Sequence, residues 1–87
     1  MKRNILIDEV VTFCFEYGIV DRSMNMNEMK SIICDHLNDE AFIENIINTI
    51  IVKTRTRSDI DAGKLIELLI GLERIRLELE YKNHNTV

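Results

Sequence analysis

Apolar residues recur every three or four positions in four segments of the chain, and this spacing is typical of α-helices that bury one face. The first segment, residues 4–17, carries apolar residues around most of its circumference and leaves only a narrow polar stripe. We therefore predict a helix that is covered on two sides. Gly18 follows where a left-handed residue commonly ends a helix, and Ile19 supplies the apolar contact that accompanies such a cap.

The second and third segments begin with residues that favour helix N-termini. Asn25 and Glu28 have the spacing of a capping box and precede an apolar stripe that includes Ile32. We predict that Asn38 caps the third helix, because the acidic Asp39 follows where the positive end of the helix dipole favours acids. The apolar stripe of this helix comprises Phe42, Ile43, Ile46, Ile47, Ile50 and Ile51.

A short two-stranded sheet is the alternative interpretation of two of these segments. Residues 49–57 are rich in β-branched side chains and alternate with a period of two, as an edge strand would. Residues 75–82 alternate as well and are the best pairing partner, which would give an α+β fold. Helix is favoured because leucine, glutamate and arginine are strong helix formers. One helical stripe also continues through this region: Leu65, Leu68, Leu72, Ile75 and Leu79.

We therefore expect an all-α fold, a compact bundle of about four helices in which the C-terminal helix is the longest. Ser58 and Asp61 have the spacing of a capping box and are predicted to start this helix. It would extend over residues 59–82, about 36 Å at 1.5 Å per residue. Gly71 costs such a helix about 1 kcal/mol relative to alanine. We expect this glycine to let another helix approach closely.

The fourth helix carries more apolar surface than one neighbouring helix would cover. A small core combined with such a helix favours pairing of two copies, and closed two-fold pairing is the commonest arrangement. The alternative is an intramolecular bundle that buries the entire face. The predicted dimer or partner interface comprises Leu65, Leu69, Leu72, Ile75, Leu77 and Leu79.

The length and composition indicate one small globular domain. The 87 residues suffice for a single helical domain over residues 1–82, followed by a polar tail at 83–87. No apolar run approaches the roughly 18 residues that span a bilayer, and no signal-peptide core follows the N-terminus, so we expect a cytoplasmic protein. Cys14 and Cys34 are expected to be buried, reduced thiols. Fourteen isoleucines and eight asparagines indicate an AT-rich genome and a small bacterial or phage protein.

Basic residues cluster in one part of a chain whose net charge is −4. Cations near the end of the third helix stabilise the negative end of its dipole, and Asp59 and Asp61 follow closely, so local pairing explains most of the cluster. The sequence pI near 5.1 argues against a general nucleic-acid footprint. Under the alternative interpretation of this cluster as an anion-binding surface, the predicted contacts are Lys53, Arg55, Arg57 and Lys64.

The chain lacks the motifs of the common catalytic and nucleotide-binding sites, so we predict no catalytic, cofactor-binding or metal-ligating residues. One polar cluster at the junction of the second and third helices is expected to be a solvated turn: Cys34, Asp35, His36, Asp39 and Glu40. The expected function is a small non-enzymatic protein-binding module: a regulator, adaptor or inhibitor. The alternative is a nucleic-acid-associated regulator that uses the basic junction at residues 53–64.

Overall fold

Four α-helices form the fold, and the predicted all-α class with a long last helix is confirmed. The computed structural model describes residues 3–20 and 23–85. Its helices are α1 (Arg3–Glu16), α2 (Met26–Asp35), α3 (Glu40–Thr54) and α4 (Ala62–Asn85). The two-stranded sheet is absent from these described residues, because the segments considered for it lie largely in α3 and wholly in α4.

The predicted burial of α1 on two sides is confirmed. One side, which includes Leu6 and Val10, joins α3 and α4 in the larger of two hydrophobic clusters. The other side, Ile7 and Val11, packs with Ile33 of α2 in the smaller one. Helix α3 packs against α4, while α1 contacts both α2 and α4. Because α1 lies between α2 and the rest of the bundle, it joins the two clusters into one core.

The end of α1 has the predicted left-handed cap. Gly18 has a φ of 65°, a conformation that costs glycine little because it has no Cβ. The backbone N–H of Ile19 donates to the carbonyl oxygen of Cys14 at 2.8 Å, and the Ile19 side chain is buried. This is the six-residue hydrogen bond of a Schellman cap, and it turns the chain towards α2.

Gly71 allows the close helix approach that the sequence predicts. A Cβ built on this residue would lie 2.7 Å from Cδ1 and 3.0 Å from Cδ2 of Leu6. Carbon atoms in ordinary contact are separated by about 3.5–4.0 Å. The crossing of α1 over α4 therefore depends on the missing side chain.

The helix N-termini confirm one predicted cap and correct two. The Asn25 side chain accepts a hydrogen bond from the Glu28 backbone N–H at 2.8 Å, as predicted. At α3 the cap is Asp39, which accepts from the Phe42 N–H at 3.3 Å, so the assignment to Asn38 was wrong by one residue. At α4 the cap is Asp61, which accepts from the N–H three residues later at 3.1 Å.

Helix α4 therefore begins three residues later than the sequence indicated, and the predicted cap at Ser58 is wrong. The physical reason is that Asp59 does not lie in the first helical turn; it pairs with Arg57 within the loop. The helix still has 24 residues, because it continues to Asn85 rather than ending near residue 82. Part of the predicted polar tail is thus helical, and residues 86 and 87 lie outside the described residues.

Candidate functional site

An open apolar groove lies between α2 and α3. It encloses about 220 Å³. Its floor includes Val10 and Cys14 of α1, its α2 side includes Met29 and Ile32, and its α3 side includes Ile46. The groove exists because α2 packs mainly on α1 whereas α3 packs mainly on α4. Helices α2 and α3 therefore do not close over α1, which lies between them. A concave, largely apolar surface of this kind is typical of ligand sites.

The charge around this groove is uneven. Glu28, Ile32 and Asp35 lie on one face of α2, because their positions follow the four- and three-residue spacing of a helix. All three are exposed, so acids flank the exposed isoleucine on the outer edge of the groove. The α3 side of the groove presents the neutral polar residues Asn45 and Thr49.

Cys14, at the floor of the groove, is a structural thiol. Burial raises its pKa to about 11, so at neutral pH it is protonated and unreactive. Cys14 and Cys34 are both free thiols, as the sequence indicated. The predicted burial holds for Cys14 but is wrong for Cys34, which lies on the exposed side of α2. Met24 and Met29 both line the groove and are half-buried, which gives its wall flexible, polarisable side chains.

A second apolar surface lies on the side of α4 that faces away from the core. Four large side chains are exposed there: Ile66 (56%), Ile70 (51%), Leu77 (49%) and Tyr81 (70%). Their spacing of four, seven and four residues aligns them along one face of the helix. We call these four residues the outer face of α4.

Five of the six residues predicted for the dimer interface belong instead to the side of α4 that packs in the core. Leu72, Ile75 and Leu79 are buried. Leu65 and Leu69 are partly buried against the same hydrophobic cluster. Only Leu77 lies on the outer face. In this fold the intramolecular core uses most of the predicted interface, and the surface left open on α4 is a different one.

Two of the four predicted anion contacts are paired within the chain. Arg57 donates two hydrogen bonds to the Asp59 carboxylate and a further one to the carbonyl oxygen of Tyr17. The guanidinium carbon of Arg57 also lies 5.8 Å from the centroid of the Tyr17 ring. Lys64 forms an ion pair with Glu9 at 3.0 Å. Arg57 thus ties the loop before α4 to the residue that follows α1, and Lys64 ties the first turn of α4 to α1, so both residues have a structural role.

The pKa values of these paired groups shift in the directions that the contacts require. The hydrogen bond from Arg57 holds the pKa of the Asp59 carboxyl below its ordinary value. The hydrogen bond with Glu9 raises the pKa of the Lys64 ammonium. The two other predicted anion contacts, Lys53 and Arg55, are exposed and make no ion pair with the residues that the structure describes.

The polar cluster at the junction of α2 and α3 is divided by the fold. His36 Nδ1 lies 2.7 Å from the carbonyl oxygen of Ile32, and the His36 ring stacks on Phe42 with ring centroids 4.6 Å apart. Glu40 instead lies within 3.7 Å of Arg76 on α4. Within the described parts of the chain, no group of three or more His, Cys, Asp or Glu residues is arranged to hold a metal ion.

Ion pairs connect α4 to α3, through Arg76 and Glu40, and to α1, through Glu78 and Arg3. Other ion pairs lie within α4. Arg76 pairs with Glu73 and with Glu80, and the latter is a pair that the four-residue spacing predicts. The same spacing suggests a pair between Arg74 and Glu78, but Glu78 pairs instead with Arg3 of α1 at 2.7 Å. The pKa of the Arg76 guanidinium is raised, chiefly by its hydrogen bond to Glu73.

None of the four helices, over the residues that the structure covers, is both long enough and apolar enough to cross a membrane. No protein-family model, curated protein or solved structure matches the chain.

Proposed function

We propose that this chain is a small non-enzymatic protein-binding module, a regulator, adaptor or inhibitor, whose ligand is an amphipathic helix of another protein. The observation that carries the proposal is the open apolar groove between α2 and α3. Two helices beside an apolar floor match the mode in which a ligand helix lays its apolar face into a groove. Such a ligand would carry apolar residues at three- and four-residue spacing.

The charge of the groove's edge specifies the ligand further. Glu28 and Asp35 flank Ile32 on the exposed face of α2. From Glu28 to Ile46 the sequence has five acids and one base, Lys30, which is already paired with Asp8 at 3.0 Å. We therefore expect lysine or arginine along the edge of the ligand helix that lies beside α2, because complementary charge steers association and fixes the register.

Two adjacent residues of α3 provide a matched test of the groove. Thr49 lines the groove, whereas Asn48 is exposed beside it and is not among the lining residues. A Thr49→Arg side chain would obstruct a ligand helix, and an Asn48→Arg side chain would add the same charge outside the groove. The wild type and both variants would be used to capture partners from native lysate with and without nuclease, with a photo-crosslinker at position 32 to identify the bound segment.

We expect one protein to resist nuclease, to remain bound to the Asn48→Arg variant and to be lost with Thr49→Arg, with the crosslink in a basic amphipathic helix. Equal capture by both variants would contradict the groove as the binding site. If the captured material is nucleic acid that disappears with nuclease or moderate salt, the alternative function applies, and Lys53 and Arg55 are the cations open to it.

We also propose that two copies of the chain pair, and that they use the outer face of α4. The support is the exposure of its four large apolar residues in line on one helix face. Large exposed apolar residues aligned on one helix face mark interaction sites more often than isolated apolar residues do. Sedimentation equilibrium at tens of micromolar should show a dimer of the wild type and a monomer of Ile70→Asp. A wild type that remains monomeric there would contradict the pairing.

A further inference from the structure

We propose that the two copies pair with their α4 helices antiparallel, so that Glu67 of each copy lies beside the partner's Arg74. The inference rests on the proposed pairing through the outer face of α4. It adds the orientation and register of the two helices, and both follow from charges that border this face.

Glu67 and Arg74 lie along the same edge of the outer face. Viewed down the helix axis at 100° per residue, they lie within about 60° of Ile70 and on the same side of it. They are seven residues apart, about 10 Å along the axis, too far for an ion pair within one helix. Neither lies within ion-pair distance of a residue that the structure describes, although Glu67 is close enough to Lys64 to contribute to its raised pKa. Glu73 and Glu78, which also border the face, are both in ion pairs.

An antiparallel two-fold pair brings these charges together twice. When two copies of one helix run in opposite directions about a two-fold axis, the contact of residue i with the partner's residue j also creates the contact of j with the partner's i. Placing Glu67 beside the partner's Arg74 therefore produces two equivalent ion pairs. A parallel pair would instead place Glu67 at the height of the partner's Glu67, about 10 Å from the partner's Arg74.

The same register also matches the apolar residues. With the two-fold axis near residues 71 and 72, Ile66 lies beside the partner's Leu77, and Ile70 lies next to the axis. Tyr81, the most exposed of the four residues at 70%, then lies over the partner's Gly63. Gly63 has no side chain to obstruct the ring, and the nearest atom to a Cβ built there is 3.5 Å away. In this register Glu67 is offset by about 3 Å along the axis from the partner's Arg74, a distance that these long side chains span. Glu73, which is already paired with Arg76, lies level with the partner's Ile70.

Charge reversals test the register. Glu67→Arg and Arg74→Glu each replace two attractive contacts across the axis with two repulsive ones. We expect either single variant to raise the dimer dissociation constant about tenfold, and the double variant to restore it to within about threefold of the wild type. Glu16→Arg, which makes the same charge change as Glu67→Arg at the exposed end of α1, is the control and should leave the dissociation constant unchanged. Sedimentation equilibrium gives the constants, and circular dichroism confirms that each variant is folded.

The outcomes separate this inference from the proposed pairing. A wild type that is only monomeric overturns both. A wild-type dimer that Ile70→Asp dissociates, but that neither charge reversal weakens, leaves the pairing intact and overturns the antiparallel register. Single variants that weaken the dimer without recovery in the double variant also overturn it, because the two charges would then act on separate partners. Weakening by each single variant with recovery in the double is the expected result.

Discussion

Replacing Gly71 with alanine tests the contact on which the packing of α1 against α4 depends. The added methyl carbon would lie 2.7 Å from Cδ1 of Leu6, well inside the about 3.5–4.0 Å of ordinary carbon contacts. Leu6 is only 4% exposed, so its side chain has little room to move away. The substitution therefore sets a gain in helix propensity against a steric conflict in the core.

The two effects have comparable magnitudes. Alanine gains about 1 kcal/mol over glycine within a helix. Overpacking a core costs about 1–3 kcal/mol. We expect Gly71→Ala to lower the free energy of unfolding by about 1 kcal/mol in total. Gly63→Ala lies in the same helix, and its added methyl carbon would be 3.5 Å from the nearest heavy atom, an ordinary contact. This substitution should therefore gain helix propensity without a steric conflict and stabilise the chain by up to about 1 kcal/mol.

Urea unfolding followed by circular dichroism measures both changes. A second background identifies the cause: Leu6→Val removes the two Cδ carbons that the new methyl group would meet. In that background Gly71→Ala should be neutral or stabilising. Gly71→Ala does not conflict with Leu6 if it stabilises the wild type as much as Gly63→Ala does, or if it costs the same in the Leu6→Val background.

Three further predictions concern the caps and the titratable groups. Asp61→Ala should cost about 1 kcal/mol of unfolding free energy because it removes the N-cap of α4, whereas Ser58→Ala should cost almost nothing; urea titrations that rank them the other way would return the cap to Ser58. A thiol reagent at pH 8 should label Cys34 rapidly and Cys14 only after denaturation, because burial raises the Cys14 pKa to about 11; rapid labelling of two thiols in the native protein would contradict this. Asp59 has a folded pKa below its unfolded value, so its contribution to stability is present above the unfolded pKa and is lost as the pH falls through the folded one. Asp59→Asn should therefore reduce the dependence of the melting temperature on pH between about pH 5 and pH 2, relative to the wild type. An unchanged dependence would show that the ion pair of Asp59 with Arg57 contributes nothing to stability.

Local sequence signals predicted the helices well because each signal is a property of neighbouring residues. The three-four spacing marked all four segments, and Gly18 and Asn25 fixed one end of α1 and one of α2 through hydrogen bonds that span only a few residues. The start of α4 was misplaced because Ser58 and Asp61 are both good capping residues. The choice between them depended on Arg57, which holds the intervening loop through Tyr17, 40 residues earlier.

The functional surfaces were harder to predict because they depend on which apolar residues the core leaves uncovered. Leu72 and Ile70 are both apolar, and both fit a helical period, yet one is buried and the other is half exposed. Periodicity identifies two apolar sides of α4 but does not rank them. The groove was missed for a similar reason, since its width is set by how far α2 and α3 diverge.

The sequence by itself determined the helical class, the positions of the four helices to within a few residues, the left-handed turn at Gly18 and the need for a close approach at Gly71. These features follow from backbone conformation and from side-chain spacing along a single helix. Only the tertiary structure decided that Arg57 and Lys64 form internal pairs, that α2 and α3 leave a groove, and that α4 turns Ile66, Ile70, Leu77 and Tyr81 outwards. Those outcomes depend on which helices pack together, and packing is a competition among apolar faces distant in sequence.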